Sequence, residues 1–184
     1  MRTPDVDAPS AFRQQLLGVI PRLRRYARSL VFDTHAADDL VQTALERALA
    51  HWHQFDQRRD ILVWTISIAH NAYMDDRRRH ARASLVEPSD GFDPDASQPA
   101  AGTDIGLQLD LIKALGRLSL EQREALLLVT LEQLSYAECA EALRIPIGTV
   151  MSRVSRARIA LRALLDGKDV VSPGSATGTL RRVI

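Results

Sequence analysis

The chain has 184 residues, of which 46% are hydrophobic, 26% charged and 5% aromatic, and its formal net charge is +1. These values are ordinary for one folded domain or two small ones, and they exclude a chain that is disordered throughout. The single cysteine, Cys139, excludes an internal disulfide and a cysteine-rich zinc site. No apolar run reaches the roughly 18–20 residues of a membrane span, and the N-terminus lacks the apolar stretch of a signal peptide. We therefore predict a cytoplasmic protein without membrane insertion.

Two segments without helical or strand periodicity divide the chain. Residues 85–108 are rich in proline, glycine and acidic side chains and contain no basic residue, which predicts a flexible acidic linker. Residues 167–184 have a similar composition and are predicted to form a disordered tail. The remaining parts, residues 10–84 and 109–166, are predicted to be two small all-α domains.

In the first domain, apolar residues recur with the period of an α-helix. The segment from about residue 10 to 30 has this pattern, and Pro21 is expected to split or kink it. A second helix carries one apolar stripe over residues 37–52, which leaves a polar face opposite. A polar loop, residues 53–60, precedes a third helix over residues 61–80, and the aspartate that ends the loop is placed as its N-cap.

The second domain has the outline of a helix-turn-helix. Ser119 and Ser135 each precede a glutamine or glutamate by three positions, which is typical of capping boxes, so a helix is predicted to begin after each. The short helix over residues 136–143 is followed by a three-residue turn and a longer helix over residues 147–165. A small residue, Ala140, stands where the two helices would cross closely.

The longer helix has an apolar back and a front of arginine and serine. Such a helix suits the major groove of DNA, because arginine reaches phosphates and guanine edges and the short Ser152 and Ser155 allow close approach. The alternative is an ordinary helical hairpin with a solvated arginine face.

The third helix combines aromatic residues with a basic end. Trp64 and Tyr73 precede an arginine-rich run at residues 77–82, and basic groups beside aromatic rings suit single-stranded DNA. The alternative is that both rings belong to the core and the arginines complement the helix dipole. We find no nucleophile–base pair, phosphate-binding glycine loop or metal-ligand spacing, so we expect no enzyme activity, cofactor or metal.

The sequence resembles the bacterial extracytoplasmic-function (ECF) sigma factors of RNA polymerase over almost its full length. The resemblance rests on four strings in the expected order: ADDLVQTALERAL (37–49), WTISIAHNAYMDDRRR (64–79), LSLEQREALLLV (118–129) and GTVMSRVSRARIAL (148–161). A weaker similarity in LLGVIPRLRRYARSL suggests the general-stress-response branch.

This resemblance implies that the domains are sigma regions two and four, which bind the clamp and flap of core polymerase and recognise promoter DNA. It implies docking of region two on the clamp through Asp38, Asp39, Leu40, Val41, Gln42 and Glu46. It implies capture of flipped minus-ten bases by Phe55, Arg58, Arg59, Trp64, Asn71, Arg77 and Arg78. It implies reading of the minus-thirty-five duplex by Thr149, Ser152, Arg153, Ser155, Arg156 and Arg158.

The same resemblance implies regulation by an anti-sigma factor, transcription of stress-response genes, and a monomer when the protein is free. Three positions depart from the family pattern: Arg144 stands where glycine is frequent, Pro146 where a capping hydroxyl is common, and Met151 where lysine is frequent. Three alternatives remain: a decoy that binds only an anti-sigma factor, a stand-alone helix-turn-helix regulator, and an enzyme. A decoy should lose the basic residues of the reading helices, and a stand-alone regulator should carry a dimerisation helix.

Overall fold

The computed structural model of the protein describes residues 8–83 and 105–166, and all regular structure within these ranges is helical. The first unit consists of α1 (Ser10–Val31), α2 (Thr34–Ala50) and α3 (Ile61–Ala83), with a short 3-10 helix at Trp52–Gln54. The second unit consists of α4 (Ile105–Gly116), α5 (Leu120–Thr130), α6 (Tyr136–Leu143) and α7 (Ile147–Leu165). The predicted all-α architecture is confirmed, whereas the predicted tail and most of the predicted linker lie outside the described residues.

Aspartates begin two helices of the first unit. The Asp33 carboxylate accepts a hydrogen bond from the Ala36 N–H at 2.6 Å, and the Asp60 carboxylate accepts one from the Leu62 N–H at 2.7 Å. Each carboxylate satisfies a free backbone donor and carries the charge that the N-terminal end of a helix dipole favours. The predicted N-cap at Asp60 is confirmed.

Helix α1 continues through Pro21, so the expected split does not occur. Proline in a helix interior removes one backbone hydrogen bond and typically costs about 3 kcal/mol. Leu16 before the proline and Leu23 after it are both buried, and α1 packs against α2 and α3. Tertiary packing on both sides of Pro21 therefore outweighs the local cost.

The predicted capping boxes of the second unit differ in completeness. Ser135 and Glu138 form both bonds: the Glu138 N–H donates to the Ser135 hydroxyl at 3.2 Å, and the Ser135 N–H donates to the Glu138 carboxylate at 2.8 Å. Hydrogen bonds from Ser135 hold the pKa of Glu138 below its ordinary value of 4.5. At α5 only the hydroxyl of Ser119 participates, accepting from the Gln122 N–H at 3.3 Å.

Helix α4 begins before the predicted start of the second domain. It starts at Ile105, so residues 105–108, which we had assigned to the linker, are helical. Apolar residues at 105, 109 and 112 have helical spacing. The adjoining proline- and aspartate-rich stretch, together with the glycine at 106, hides this spacing in the sequence.

The turn between α6 and α7 has left-handed backbone at a residue other than glycine. Arg144 has φ 54° and ψ 43°, a conformation that glycine adopts without steric cost. The Ile145 N–H closes the end of α6 on the Ala140 carbonyl at 3.1 Å, and α7 then starts after Pro146 without a side-chain cap. Both departures from the family pattern therefore have a structural counterpart: Arg144 adopts left-handed backbone, and Pro146 leaves α7 without a side-chain cap.

Both units contribute to one hydrophobic core. It contains Leu23 and Leu30 from α1 and Ile66 from α3, together with Leu128 from α5 and Val150 from α7. Helix α1 packs against α5, and α3 packs against α6. The two units therefore lie against each other, a placement that the sequence left open.

Candidate nucleic-acid and partner interfaces

Helix α2 presents a polar face to solvent. Of the residues predicted to dock on polymerase, four are exposed: Asp38, Asp39, Gln42 and Glu46. Gln42 donates to Glu46 one turn later at 2.9 Å, and Asp38 lies 3.6 Å from Arg24 of α1. The exposed face is acidic along most of its length and ends in a partly exposed Leu49, so it suits a partner that offers cationic groups.

The structure does not support a direct partner contact for Leu40 and Val41. Their side chains are 9% and 3% exposed and belong to the hydrophobic core. The motif that matched these residues covers both faces of one helix, and its apolar positions point inward. Leu40 and Val41 therefore hold α2 in place against the core.

The aromatic residues near the loop form one cluster. The rings of Phe55 and Trp64 lie 5.2 Å apart, and both pack on Phe12 of α1, at 5.8 and 6.0 Å. These are ordinary separations for favourable aromatic pairs. Phe55 and Trp64 are half-buried, so each ring combines core packing with some exposed surface.

A cavity of about 610 Å³ lies beside this cluster, between the first unit and helix α6. Arg59, Trp64 and Asn71, all predicted to bind the minus-ten element, line it together. A volume of this size holds a small organic group, and a ring face, an amide and a cation suit a nucleobase and its phosphate. The second unit closes one side of the cavity with Glu141 and Arg144.

The other predicted minus-ten residues lie apart from this cavity. Phe55 and Arg58 line a second concave site of about 580 Å³ on the α1 side of the loop. Arg77 and Arg78 are exposed near the end of α3, where Arg78 lies 4.0 Å from Asp75. The predicted set therefore divides among this cavity, a neighbouring groove and a basic helix end.

Helix α7 has the predicted apolar back, and its exposed side carries predicted polar residues together with the apolar Met151 and Ile159. Val150, Val154 and Ala157 are buried, whereas Ser155 and Arg158 are exposed, and Thr149 is half-buried. The amphipathic pattern thus orients the helix as predicted.

Two of the α7 arginines predicted to read the minus-thirty-five duplex differ from each other in their contacts. Arg153 is 21% exposed and pairs with Glu121 of α5 at 3.2 Å. Arg156 is exposed and donates only within its own helix, to the hydroxyl of Ser152 at 3.1 Å and its carbonyl at 3.2 Å. Arg156 therefore has no contact with another helix, while Arg153 is engaged by Glu121.

The described ranges contain no cluster of histidine, cysteine, aspartate and glutamate that could hold a metal ion. In those ranges there is also no helix long and apolar enough to cross a membrane. Cys139 is fully buried, and burial raises the pKa of its thiol to about 12, so it is an inert small hydrophobic residue.

Sequence reasoning missed a polar network between the two units. Glu124 and Glu132 are buried in the second unit's contact with α1 and α3, where they meet Tyr26, His70 and two arginines. The sequence feature that could have indicated this network is the glutamate at position 124, which interrupts the apolar run of α5. Its partners lie too far along the chain for a local pattern to indicate them.

Two family models match the chain. Sigma-70, region 4 matches residues 108–161, which contain the helix-turn-helix. The Sigma2 domain of PhyR matches residues 16–70, which contain α2 and most of the cavity wall.

Relatives match over most of the chain. It is 36% identical to the ECF RNA polymerase sigma factor EcfG of Rhodopseudomonas palustris over 177 residues, covering 95% of both chains. It is also 36% identical to the ECF RNA polymerase sigma factor SigC of Mycobacterium tuberculosis over 145 residues, covering 75% of each.

Solved structures share the fold. The sigma factor RpoE of Bartonella quintana, in complex with the anti-sigma factor NepR, matches with TM-score 0.74 and 36% identity. That match covers 86% of this chain and 98% of the other. CnrH in complex with the cytosolic domain of CnrY matches with TM-score 0.63 and 28% identity, covering 85% and 88%.

Proposed function

Because the chain belongs to the extracytoplasmic-function sigma factors of RNA polymerase, we propose that it binds core polymerase and directs it to promoters. In this role it contributes no catalytic group of its own. It recognises the minus-ten and minus-thirty-five elements, and it stabilises the melted strand at the first of them.

The observation that carries this proposal is the cavity beside α3. It brings Trp64, Asn71 and Arg59 to one concave surface, which offers a ring to stack on, an amide for a base edge and a cation for a phosphate. Unstacking a base costs a few kcal/mol, and such a site offsets that cost by binding the flipped base. Duplex opening is therefore assigned to the first unit.

The other two surfaces complete the proposed role. The acidic face of α2 docks on a basic surface of core polymerase, and the arginine front of α7 reads the upstream element as duplex. These surfaces lie on different helices, so separate substitutions can disable one and spare the other. The retained arginines of α7 argue against a decoy that binds only an anti-sigma factor.

Control by an anti-sigma factor and a role in stress-response transcription form the regulatory part of the proposal. Two structural neighbours of this chain were solved in complexes. RpoE is bound to the anti-sigma factor NepR, and CnrH is bound to the cytosolic domain of CnrY. The matched Sigma2 domain of PhyR and the EcfG relative support the stress-response assignment.

Run-off transcription tests the proposal. Purified core polymerase is mixed with the full chain and a DNA fragment from upstream of the protein's own gene. We expect a discrete transcript that requires both proteins, and its length locates the start site.

If no transcript forms, gel filtration of the same mixture separates the alternatives. Co-elution with core polymerase would mean that the fragment lacks the promoter, and other upstream fragments would then be tried. A chain that does not co-elute with core polymerase would refute the proposal in favour of a decoy or a stand-alone regulator.

A further inference from the structure

A buried carboxylate of the second unit is held by two arginines of the first. Glu132 is 0% exposed, and its oxygens lie 3.1 Å from Arg22 Nε and 2.8 Å from Arg25 Nε. Arg25 also donates through Nη2 at 2.9 Å, which makes its contact bidentate, and Arg22 also donates to the Glu132 backbone carbonyl. Hydrogen bonding to Glu132 raises the pKa of Arg25, so the arginine stays charged.

A second buried carboxylate lies deeper in the same interface. Glu124 is 1% exposed, and one of its oxygens accepts from the Tyr26 hydroxyl at 2.5 Å and lies 2.7 Å from His70 Nδ1. Tyr26 is fully buried, and burial raises the pKa of its phenol well above 10, so the phenol keeps the proton that it donates. Tyr26 belongs to α1 and His70 to α3, so Glu124 joins the second unit to two helices of the first.

In a third contact, a side chain of the second unit caps the C-terminal end of α1. Arg123 of α5 donates to the Leu30 carbonyl at 2.9 Å and lies 4.6 Å above the ring of Phe32. A cation at a helix C-terminus is favourable because it meets the unsatisfied carbonyls there.

These contacts are specific, because a buried charge that loses its partner is strongly unfavourable. They are also separable, since Arg22 and Arg25 keep 40% and 49% of their side-chain surface exposed and rehydrate readily. Charged and polar contacts thus lie beside the apolar packing that the two units share, and an interface between two units of one chain that carries such contacts can exchange between closed and open forms.

The closed packing places the second unit at the cavity beside α3. Helix α6 packs on α3, its residues Glu141 and Arg144 wall the cavity, and Glu141 forms an ion pair with Arg59. Arg59 is therefore already engaged inside the molecule by a carboxylate in place of a phosphate.

We propose that Glu124 and Glu132 form a latch that holds the two units in a closed state, in which α6 and Glu141 compete with a promoter strand for the cavity. The inference rests on the proposed function, because it assigns the cavity to an unpaired base. Binding of the strand and release of the second unit are then two sides of one equilibrium.

The test measures opening and strand binding separately on the full chain. Ala50 of α2 and Ala137 of α6 are exposed, so the double variant Ala50→Cys with Ala137→Cys can be labelled with a pair of dyes. The native Cys139 is buried and escapes labelling. Energy transfer between the dyes reports the closed state without DNA or polymerase. Fluorescence anisotropy of a labelled, mixed-sequence single-stranded oligonucleotide reports access to the cavity.

The double variant Arg22→Gln with Arg25→Gln removes both cations that hold Glu132. The substituted side chains are partly exposed, so the variant avoids a change in the core. Glu124→Gln removes the charge of the other latch carboxylate while preserving side-chain shape. We expect both to lower energy transfer and to tighten strand binding, by about tenfold where a tenth of the unmodified chain is open. Asp110→Asn, which removes an exposed carboxylate of α4 in the same unit, leaves both readouts unchanged.

Two results overturn the inference. Unchanged energy transfer in both latch variants would show that these contacts do not hold the units together. Lowered transfer with unchanged strand binding would show that the closed state does not cover the cavity. Failure of the proposed function has a different signature: neither the unmodified chain nor the variants support transcription with core polymerase, whatever the dye signal.

Discussion

Replacing Arg156 with alanine tests whether α7 is the surface that reads duplex DNA. The Arg156 side chain is exposed and donates only to Ser152 of its own helix. No residue of another helix depends on those bonds, so we expect the free energy of unfolding to change by less than about 0.5 kcal/mol.

The effect on duplex binding should be much larger. A bidentate contact to guanine is worth about 1–3 kcal/mol, which is a loss of roughly 5- to 150-fold in affinity. A contact to phosphate instead lowers the slope of log affinity against log salt by about 0.9. The slope therefore distinguishes the two kinds of contact.

Arg153→Ala is the matched comparison on the same helix. Its pair with Glu121 joins α7 to α5, and Glu121 is 63% exposed, so the pair contributes about 0.2–1 kcal/mol to folding at most. DNA binding must break this pair, so Arg153 contributes less net affinity than Arg156 by about that amount. We expect a smaller loss of affinity and a slight loss of stability for Arg153→Ala.

The assay is fluorescence anisotropy with the duplex upstream of the start site that run-off transcription locates, titrated at several salt concentrations. Thermal unfolding of each variant supplies the stability reference. The reasoning about α7 fails if Arg156→Ala binds as tightly as the unmodified chain. It also fails if Arg153→Ala loses more affinity than Arg156→Ala.

Three further substitutions test other parts of the structure. Asp39→Arg reverses a charge on the exposed face of α2 and should lower the affinity for core polymerase at least tenfold while leaving duplex binding intact. An unchanged affinity for core polymerase would contradict the docking assignment. Ser135→Ala should cost about 1 kcal/mol at pH 7 in a thermal or urea melt. The folded pKa of Glu138 is lowered, so its contribution is present above its unfolded pKa and is lost as the pH falls through the folded value. The cost should therefore shrink as the pH falls well below 4.5, and a constant cost would mean that the carboxylate takes no part. Arg144→Gly relieves left-handed backbone and should stabilise the fold by about 0.5 kcal/mol; a lower melting temperature would show that the turn carries no strain.

Local signals predicted the helices well. Asp60, Ser119 and Ser135 cap where the sequence places them, because a cap depends only on residues within one turn. The orientation of α2 and α7 also followed from periodicity, because one stripe of apolar residues determines which face is buried.

Non-local packing accounts for what the sequence did not predict. Helix α1 passes through Pro21 because neighbouring helices hold it on both sides. Leu40 and Val41 were assigned to a partner because a motif match does not separate the two faces of a helix. Glu124 and Tyr26 lie 98 positions apart, so no sequence window joins them.

The position of Cys139 limits how chemical stress can reach this protein. Its thiol is the only one in the chain, lies buried in the core that both units share and has a pKa of about 12. Oxidants that attack exposed thiolates therefore find no reactive thiolate in this chain while the two units are packed together. A signal that works by oxidising thiols therefore cannot act on this closed chain through Cys139, and a thiol that senses such a signal must belong to a different protein.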